Sequence, residues 1–302
     1  MKNPTKRIKN LLAALALMGL ASPLAAQYSL YWDLPTTPGN LSLGMASLAV
    51  SPEPEGLVVN PAWLSEVRWR TARASGLQWW QEIYAGSFSG AVPVKPLGTA
   101  GLSLGYWSFG SMAALGPQGE PLGNFESQSL LWGLGLGRRI LAGLAAGLYL
   151  KGYSLMMPER KDWGWGLDAG AQYRHRFLTG TLLARNLGPR YPVNNAVRFD
   201  LPASVNLGVG AGLAGQRIVA GLVFTSAKGQ RPFVSAGVEV LPASFAGLRL
   251  GYDTDDSKPE RSPLGLGVSM RTTGTQDYSV EYGYRSYGVL GDVHAISLGM
   301  SF

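Results

Sequence analysis

The residue types that most often perform catalysis occur here in one suggestive arrangement. Residues 101–105 read GLSLG and match the G-x-S-x-G pattern around a serine nucleophile. That pattern requires a sharp turn between a strand and a helix, whereas these residues lie inside a segment that alternates like one continuous strand. The chain has two histidines, His175 and His294, and the sequence places neither as a general base for the serine. We therefore predict no catalytic residues and no enzyme activity.

Two other patterns could bind a cofactor or a metal ion. Residues 210–215 read GAGLAG and match the dinucleotide-binding pattern G-x-G-x-x-G, but a strand follows them and not the helix that would hold the pyrophosphate. The cluster DTDD at residues 253–256 is similar to part of a calcium loop. Lys258 stands where that loop needs glycine, and Leu264 stands where it needs a carboxylate. The sequence thus predicts no cofactor and no metal site.

The elements that must position any functional group in this chain are strands. Most of the sequence alternates between apolar residues and small or polar residues with a period of two. In residues 264–271, for example, leucine, valine and methionine alternate with glycine, serine and arginine. Such segments predict about fourteen strands, near residues 67–78, 83–94, 98–109, 126–138, 140–153, 163–174, 177–187, 203–214, 217–226, 231–240, 245–252, 263–272, 276–287 and 292–302.

The connections between these strands are sorted by length. Short connections follow the even strands, as at residues 174–176 and 214–216. Long connections follow several odd strands, at residues 110–125, 155–162, 188–202 and 253–262. Tight turns at one end and larger loops at the other are typical of outer-membrane barrels, whereas a soluble sandwich has no reason to sort its loops this way. We predict an all-β, transmembrane antiparallel barrel.

Aromatic residues near the strand ends are expected to form two girdles at the membrane surfaces. The predicted outer girdle contains Trp79, Trp80, Tyr106, Trp107, Tyr153, Trp163, Tyr252, Tyr284 and Tyr287. The predicted periplasmic girdle contains Tyr173, Phe177, Phe245, Tyr278 and Phe302.

Polar residues interrupt the small residues on the strand faces that we expect to line the lumen. They are Lys151, Asp168, Gln172, Arg249, Arg271 and Glu281. Buried charges of opposite sign usually pair. Two interpretations stay open: a salt-bridge network that holds an internal segment, and a site that contacts a ligand.

The first 26 residues have the organisation of a secretory signal peptide. Four basic residues between Lys2 and Lys9 precede an apolar run at residues 11–20 and a small-residue cleavage site at residues 23–27. The remaining chain has 22 basic and 19 acidic residues, so the net charge of +7 gives little support to nucleic-acid binding. We predict export to the outer membrane of a Gram-negative bacterium and no nucleic-acid partner.

The two ends of the mature chain also carry signals. Residues 27–66 contain prolines that break strand patterns, together with apolar residues that need burial, so we predict a hatch inside the lumen. The predicted domains are therefore a signal peptide (1–26), a hatch (27–66) and a barrel (67–302). At the other end, alternating apolar residues lead to a terminal phenylalanine and resemble the signal recognised by the barrel assembly machinery: Ile296, Leu298, Met300 and Phe302.

Several short motifs, in this order and spacing, are similar to the PorV/PorQ family, a branch of the FadL-like outer-membrane proteins. They are Leu34-Pro35, LGM at 43–45, Asn60-Pro61-Ala62, LGNFES at 122–127, GLDAG at 166–170, NLG at 186–188, Leu201-Pro202, LRLGY at 248–252 and HAISL at 294–298. The resemblance implies a fourteen-stranded barrel with an N-terminal hatch. Trp63 replaces the glycine that ends the family's hatch motif.

The resemblance implies two alternative functions, neither of them enzymatic. Members of the family associated with type IX secretion help to export cargo proteins or attach them to the cell surface, and we predict this function first. Other FadL-like members admit fatty acids or other hydrophobic compounds, which is the alternative. The predicted partners are outer-membrane lipid and the assembly machinery, with either secretion components and cargo or hydrophobic small molecules.

Overall fold

The computed structural model describes residues 35–50, 59–79, 82–157, 160–189, 191–192, 198–199, 201–257, 260–272 and 276–302. The predicted signal peptide and Trp80 lie outside the described residues. No helix among the described residues combines the length and the apolar character needed to cross a membrane.

Fourteen antiparallel strands form a closed barrel, which confirms the predicted fold class. They are β1 (Thr71–Gln78), β2 (Tyr84–Val94), β3 (Gly98–Leu115), β4 (Pro121–Leu141), β5 (Leu144–Met157), β6 (Arg160–His175), β7 (Leu178–Leu187), β10 (Ser204–Leu213), β11 (Ile218–Ala227), β12 (Phe233–Ala243), β13 (Ala246–Asp253), β14 (Leu264–Arg271), β15 (Asp277–Ser286) and β16 (Asp292–Ser301). Two short strands, β8 (Tyr191–Pro192) and β9 (Arg198–Phe199), pair within the connection between β7 and β10. The barrel closes where Thr71 of β1 lies opposite Ser301 of β16.

The structure extends several strands into regions that the sequence predicts as loops. β3 and β4 run for 18 and 21 residues and form most of the predicted loop 110–125. β5 and β6 likewise shorten the predicted loop 155–162. The alternation is weak in residues 110–114 because they are glycine, serine, alanine and methionine, which differ little in bulk. The loops at 188–203 and 254–263 remain long.

Alternation places apolar side chains on the outer wall of the barrel. On β14, Leu264, Leu266 and Met270 are exposed, while Gly265 and Gly267 between them face inward and are buried. A largely apolar outside and a largely small or polar inside are also seen on most of the other strands of the barrel. An apolar outer band around a polar or filled interior is the arrangement of a transmembrane barrel.

The aromatic residues only partly follow the predicted girdles. We call the end at which β1 begins and β16 ends the periplasmic end of the barrel, and the opposite end the outer end. The residues predicted at the periplasmic end are all exposed: Tyr173, Phe177, Phe245, Tyr278 and Phe302. At the outer end, Tyr106, Trp163 and Tyr252 are exposed, but four predicted girdle residues are buried, namely Trp79, Trp107, Tyr153 and Tyr287. The prediction was wrong for these four, since Trp107, for instance, shares the inward register of Ser103 and does not face outward.

Candidate functional site in the barrel lumen

The described parts of the N-terminal segment form short helices. They are α1 (Pro38–Leu43), a 3-10 turn (Gly44–Ala46), α2 (Ser47–Val50) and a second 3-10 helix (Pro61–Glu66). The Thr37 side chain caps α1 by accepting a hydrogen bond from the Asn40 amide at 3.3 Å. The Asn60 side chain caps the Pro61–Glu66 helix in the same way, accepting from the Ala62 amide at 3.0 Å. A proline follows each cap, where its missing N–H costs nothing.

These helices lie against glycines on the inner face of the barrel. A methyl group added to Gly283 would lie 2.6 Å from the Pro38 oxygen, and one added to Gly221 would lie 2.8 Å from Cβ of Ala49. Other inward glycines that approach the segment equally closely are Gly137, Gly147, Gly170, Gly210, Gly237, Gly251, Gly265 and Gly267. Glycine on these strands therefore makes room for backbone inside the lumen. The function of this segment as a hatch, and of Asn60, Pro61 and Ala62 as its motif, stays a prediction.

One cluster of charged side chains lies along the inner face of the barrel, from β12 to β1. Glu281 on β15 binds Arg73 of β1 at 2.7 Å and Arg249 of β13 at 2.5 Å. Arg249 also binds Glu239 of β12 at 2.9 Å. All four side chains are buried, and their formal charges cancel. They form a compensated network whose members depend on one another, because removing one would leave a buried charge without its partner.

A second cluster lies on β5 to β7. Lys151 donates to one Asp168 oxygen at 2.8 Å, and the backbone N–H of Asn186 donates to the other Asp168 oxygen at 2.7 Å. The Asn186 side chain then donates to the Pro202 oxygen at 2.9 Å. These bonds accompany a shift in the pairing register of β6 and β7 between Leu167 and Ala169. The cluster ties this irregular part of the wall to the start of β10.

A third cluster joins α1 to an outer loop. Asp253, at the end of β13, binds Arg285 at 2.6 Å and Arg261 of the 254–263 loop at 3.0 Å. Arg285 also donates to the backbone carbonyl oxygen of Ser42 in α1 at 3.3 Å. The Asp253 carboxylate packs directly against Gly44, which has a φ of 57° and ends α1. The position of α1 is thus linked to the loop through buried charges.

The structure divides the predicted lumen candidates among different sites. It pairs Arg249 with Glu281 and Lys151 with Asp168, and it places buried Gln172 near Glu66 of the N-terminal segment, at 3.4 Å. Arg271 has the inward register of Gly265 and Gly267 but lies at the periplasmic end of β14, where its side chain is exposed and lines a cavity. The role of these six residues as a ligand site stays a prediction.

Sequence reasoning missed three buried charges in these clusters, namely Arg73, Glu239 and Arg285. It also placed Asp253 in the predicted loop 253–262, which was wrong, because Asp253 ends β13 and its side chain is buried. The alternation of their own strands could have identified these residues, because it places them on the inward face. Arg73, for example, alternates with the outward residues Ala72 and Ala74 in a segment rich in small residues.

Aromatic side chains fill the outer end of the lumen. Trp79 and Trp107 meet edge to face with ring centroids 5.5 Å apart, and Trp79 lies 5.2 Å from the Tyr287 ring. Trp107 also stacks on Phe109 at 6.2 Å. The same buried cluster includes Leu41 of α1 and Leu77, Ala85, Val293 and Ala295 of the wall. Burial raises the pKa of the Tyr287 phenol, so this cluster stays uncharged.

Two of the cavities in the described part of the chain border the barrel wall. One of about 670 Å³ lies at the periplasmic end, between the N-terminal segment and the wall, and Arg73, Arg174, Glu66 and Arg271 are among its lining residues. The other, about 470 Å³, is an apolar groove that includes outward residues of β6, β7, β10 and β11, such as Leu182 and Phe224. No group of histidine, aspartate or glutamate residues in the described ranges could hold a metal ion.

The last strand has the geometry that barrel closure requires. Ile296, Leu298, Met300 and Phe302, the residues predicted as the assembly signal, all point outward and are exposed. The intervening Ala295 and Ser297 face inward and are buried. Recognition of this strand by the assembly machinery stays a prediction.

Comparison with known proteins supports the fold but not a narrower assignment. No protein-family model matches the chain, and no curated protein sequence matches it at a significant level. The structure of the toluene transporter TodX from Pseudomonas putida superposes with a TM-score of 0.61 at 12% identity, over 89% of this chain and 98% of that chain. A FadL homologue from Pseudomonas aeruginosa gives 0.59 at 11% identity, over 89% and 99%.

A third structure, the toluene transporter TbuX from Ralstonia pickettii, gives a TM-score of 0.57 at 10% identity, over 86% of this chain and 97% of that chain. At such identities the similarity shows the fold alone. That fold is the closed antiparallel barrel that this chain shares with the three structures. The narrower PorV/PorQ resemblance gains no support from a family model.

Proposed function

We propose that this chain, which has the fold of FadL-like outer-membrane transporters, admits hydrophobic small molecules through the outer membrane. The observation that carries the proposal is the buried aromatic cluster at the outer end of the lumen, built around Trp79, Trp107 and Tyr287. An aqueous porin needs a polar, open interior, because ions and sugars must stay hydrated as they pass. A lumen whose outer end is built from buried aromatic rings favours solutes that gain by leaving water.

The N-terminal segment supplies the barrier in this proposal. Its helices contact the wall all around the lumen, from β4 to β15, and would prevent free diffusion of water-soluble compounds. Glu66 ties the segment to the periplasmic end through Arg139 at 3.2 Å and Arg174 at 3.1 Å. Passage of a hydrophobic solute therefore requires a local rearrangement of this segment and not an open pore.

The type IX secretion function, which the sequence predicts first, rests on the PorV/PorQ resemblance. Two of its motif residues, Asn60 and Arg249, have structural roles in a helix cap and a salt-bridge network. Such roles suit any barrel with an internal segment, so they do not favour secretion over uptake. The similar solved structures are described as transporters and channels for toluene and monoaromatic hydrocarbons, which favours the uptake function.

A deletion strain distinguishes the two functions. We expect loss of the protein to slow the entry of radiolabelled toluene into intact cells, and complementation to restore it. The control is the set of secreted and surface-attached proteins, compared by mass spectrometry between the same strains. Unchanged toluene entry together with loss of surface proteins would refute the uptake proposal and support the secretion function.

A further inference from the structure

Exposed charges are distributed unequally between the two ends of the barrel. Among the described residues, every exposed aspartate or glutamate except Asp277 lies in the outer half of the barrel or in the loops beyond it. The exposed basic residues are found mainly at the periplasmic end, in its turns and at its strand ends: Arg68, Arg70, Lys95, Arg138, Arg139, Arg174, Arg176, Arg217 and Arg271. The periplasmic end therefore presents a positive surface to its surroundings.

A cavity of about 380 Å³ lies within this positive surface, where β2 and β4 end and β3 begins. Its charged lining residues are all basic: Arg68, Lys95, Arg138 and Arg139. Arg139 is compensated by Glu66 at 3.2 Å, whereas the other three pair with no carboxylate among the described residues. Like charges around one cavity repel one another, and an anion bound between them would relieve that repulsion.

Gly98 brings the basic residues of different strands together. It begins β3 with a φ of 127°, which residues with a side chain rarely adopt. A methyl group on Gly98 would lie 3.1 Å from Cβ of Arg138, so the turn between β2 and β3 rests directly on β4. Because of this close approach, Lys95 of the turn and Arg138 of β4 line the same cavity.

The outer wall beside the cavity is apolar. Arg138 shares the outward register of Leu136 and therefore lies on the face that meets the membrane. This position is the boundary between the apolar wall and the periplasm, at the depth of the phospholipid headgroups of the inner leaflet. A free phosphate ion would use only the charges of the cavity, whereas a phospholipid would also cover the exposed side chains around it, namely Val94, Leu97, Leu136 and Ile140.

We infer that this cavity binds the phosphate group of an anionic phospholipid, whose acyl chains lie on the apolar wall formed by β2, β3 and β4. Guanidinium groups bind phosphate through paired, charge-assisted hydrogen bonds. Basic pockets at a membrane boundary bind anionic headgroups through the same chemistry. The inference goes beyond the proposed function and does not depend on which compound passes through the lumen.

The test compares two lipids by native mass spectrometry of the purified full-length barrel in a neutral detergent. Phosphatidylglycerol should bind about 5-fold or more tightly than phosphatidylcholine, which has the same phosphate but no net charge. Arg138→Gln and Lys95→Gln should each weaken phosphatidylglycerol binding about 5-fold, because one basic residue near an anionic lipid contributes about 1 kcal/mol. Both side chains are exposed, so the variants should assemble, and heat-modifiable gel mobility verifies this.

The matched control is Arg217→Gln. Arg217 is also exposed at the periplasmic end, in the turn between β10 and β11, but it does not line the cavity. This change should leave the affinity for phosphatidylglycerol within about twofold of the wild type. Equal weakening by Arg217→Gln and Arg138→Gln would overturn the inference, since the overall charge alone would then determine binding. Unchanged affinity in both Arg138→Gln and Lys95→Gln would also overturn it.

A second measurement separates a lipid from free phosphate. Inorganic phosphate is titrated into the wild type and Arg138→Gln by calorimetry, and we expect no binding that depends on Arg138. Equal affinity for the two lipids, together with phosphate binding that Arg138→Gln abolishes, would assign the cavity to free phosphate and refute the lipid. Failure of the uptake proposal would leave the lipid affinities as expected, because they report the periplasmic end and not passage through the lumen.

Discussion

Replacing Gly251 with alanine should loosen the N-terminal segment without disturbing the barrel. A methyl group on Gly251 would lie 2.7 Å from Cα of Leu43, whereas ordinary contacts begin at 3.4 Å, and it would also clash with the Ser42 oxygen. The obstructing atoms are backbone, so no rotamer change relieves the clash, and α1 must withdraw by most of an ångström. Overpacking of this kind costs about 1–3 kcal/mol.

That free energy corresponds to an increase of about 5- to 150-fold in the population of the unseated segment. The chain has no cysteine, so a single Ser47→Cys substitution reports this population through its rate of reaction with a maleimide. Ser47 is 4% exposed in the seated segment. We expect Gly251→Ala to raise the labelling rate by the same factor in the assembled barrel.

The control is Gly76→Ala on β1, where an added methyl group has no neighbour within 4 Å. This change should leave the labelling rate within about twofold of the parent. Equal rates in the Gly251→Ala variant and the parent would show that α1 does not rest on the glycines of β13, and the described arrangement of the lumen would be refuted.

Three further predictions follow from the charges, the N-terminal segment and the last strand. Glu281→Gln leaves two buried arginines without their shared partner and should lower the free energy of unfolding by about 3–5 kcal/mol. The barrel should then lose its heat-modifiable gel mobility at a lower temperature than the parent, whereas Asp256→Asn, in an exposed ion pair, should not change that temperature. Deletion of residues 28–58 should leave a barrel that assembles but admits small solutes, and the rate of nitrocefin hydrolysis by intact cells measures this permeability. Unchanged permeability would indicate that the segment lies in the periplasm. Phe302→Ala should slow membrane assembly in a pulse-chase experiment, and normal assembly kinetics would contradict the assignment of the last strand as an assembly signal.

The strands were predictable from sequence because alternation is a local property. Each segment reports its own apolar face, and the outward register of residues 264–271 is correct residue by residue. The same rule failed where side chains are similar in size, as in residues 110–114, since alternation then carries no contrast. The sequence also placed aromatic residues near the strand ends but did not assign Trp79 and Trp107 to the inner face.

The partners of the lumen residues could not be predicted in the same way. Arg73 and Glu281 come from opposite ends of the chain and meet because β1 and β15 both flank β16 in the closed barrel. Their pairing depends on closure and on the register between strands, which no local pattern contains. The close approach of Gly251 to α1 has the same origin: abundant glycine was visible in the sequence, but its purpose depends on which backbone enters the lumen.

The most direct test of the central claim measures entry of a hydrophobic and a hydrophilic solute into the same cells. The protein is expressed in a Gram-negative host with intact lipopolysaccharide, and assembly is verified by heat-modifiable mobility. We expect faster uptake of the hydrophobic fluorophore N-phenyl-1-naphthylamine than in cells with an empty vector, with unchanged hydrolysis of nitrocefin by periplasmic β-lactamase. Unchanged fluorophore uptake through a correctly assembled barrel, or faster entry of nitrocefin, would contradict it.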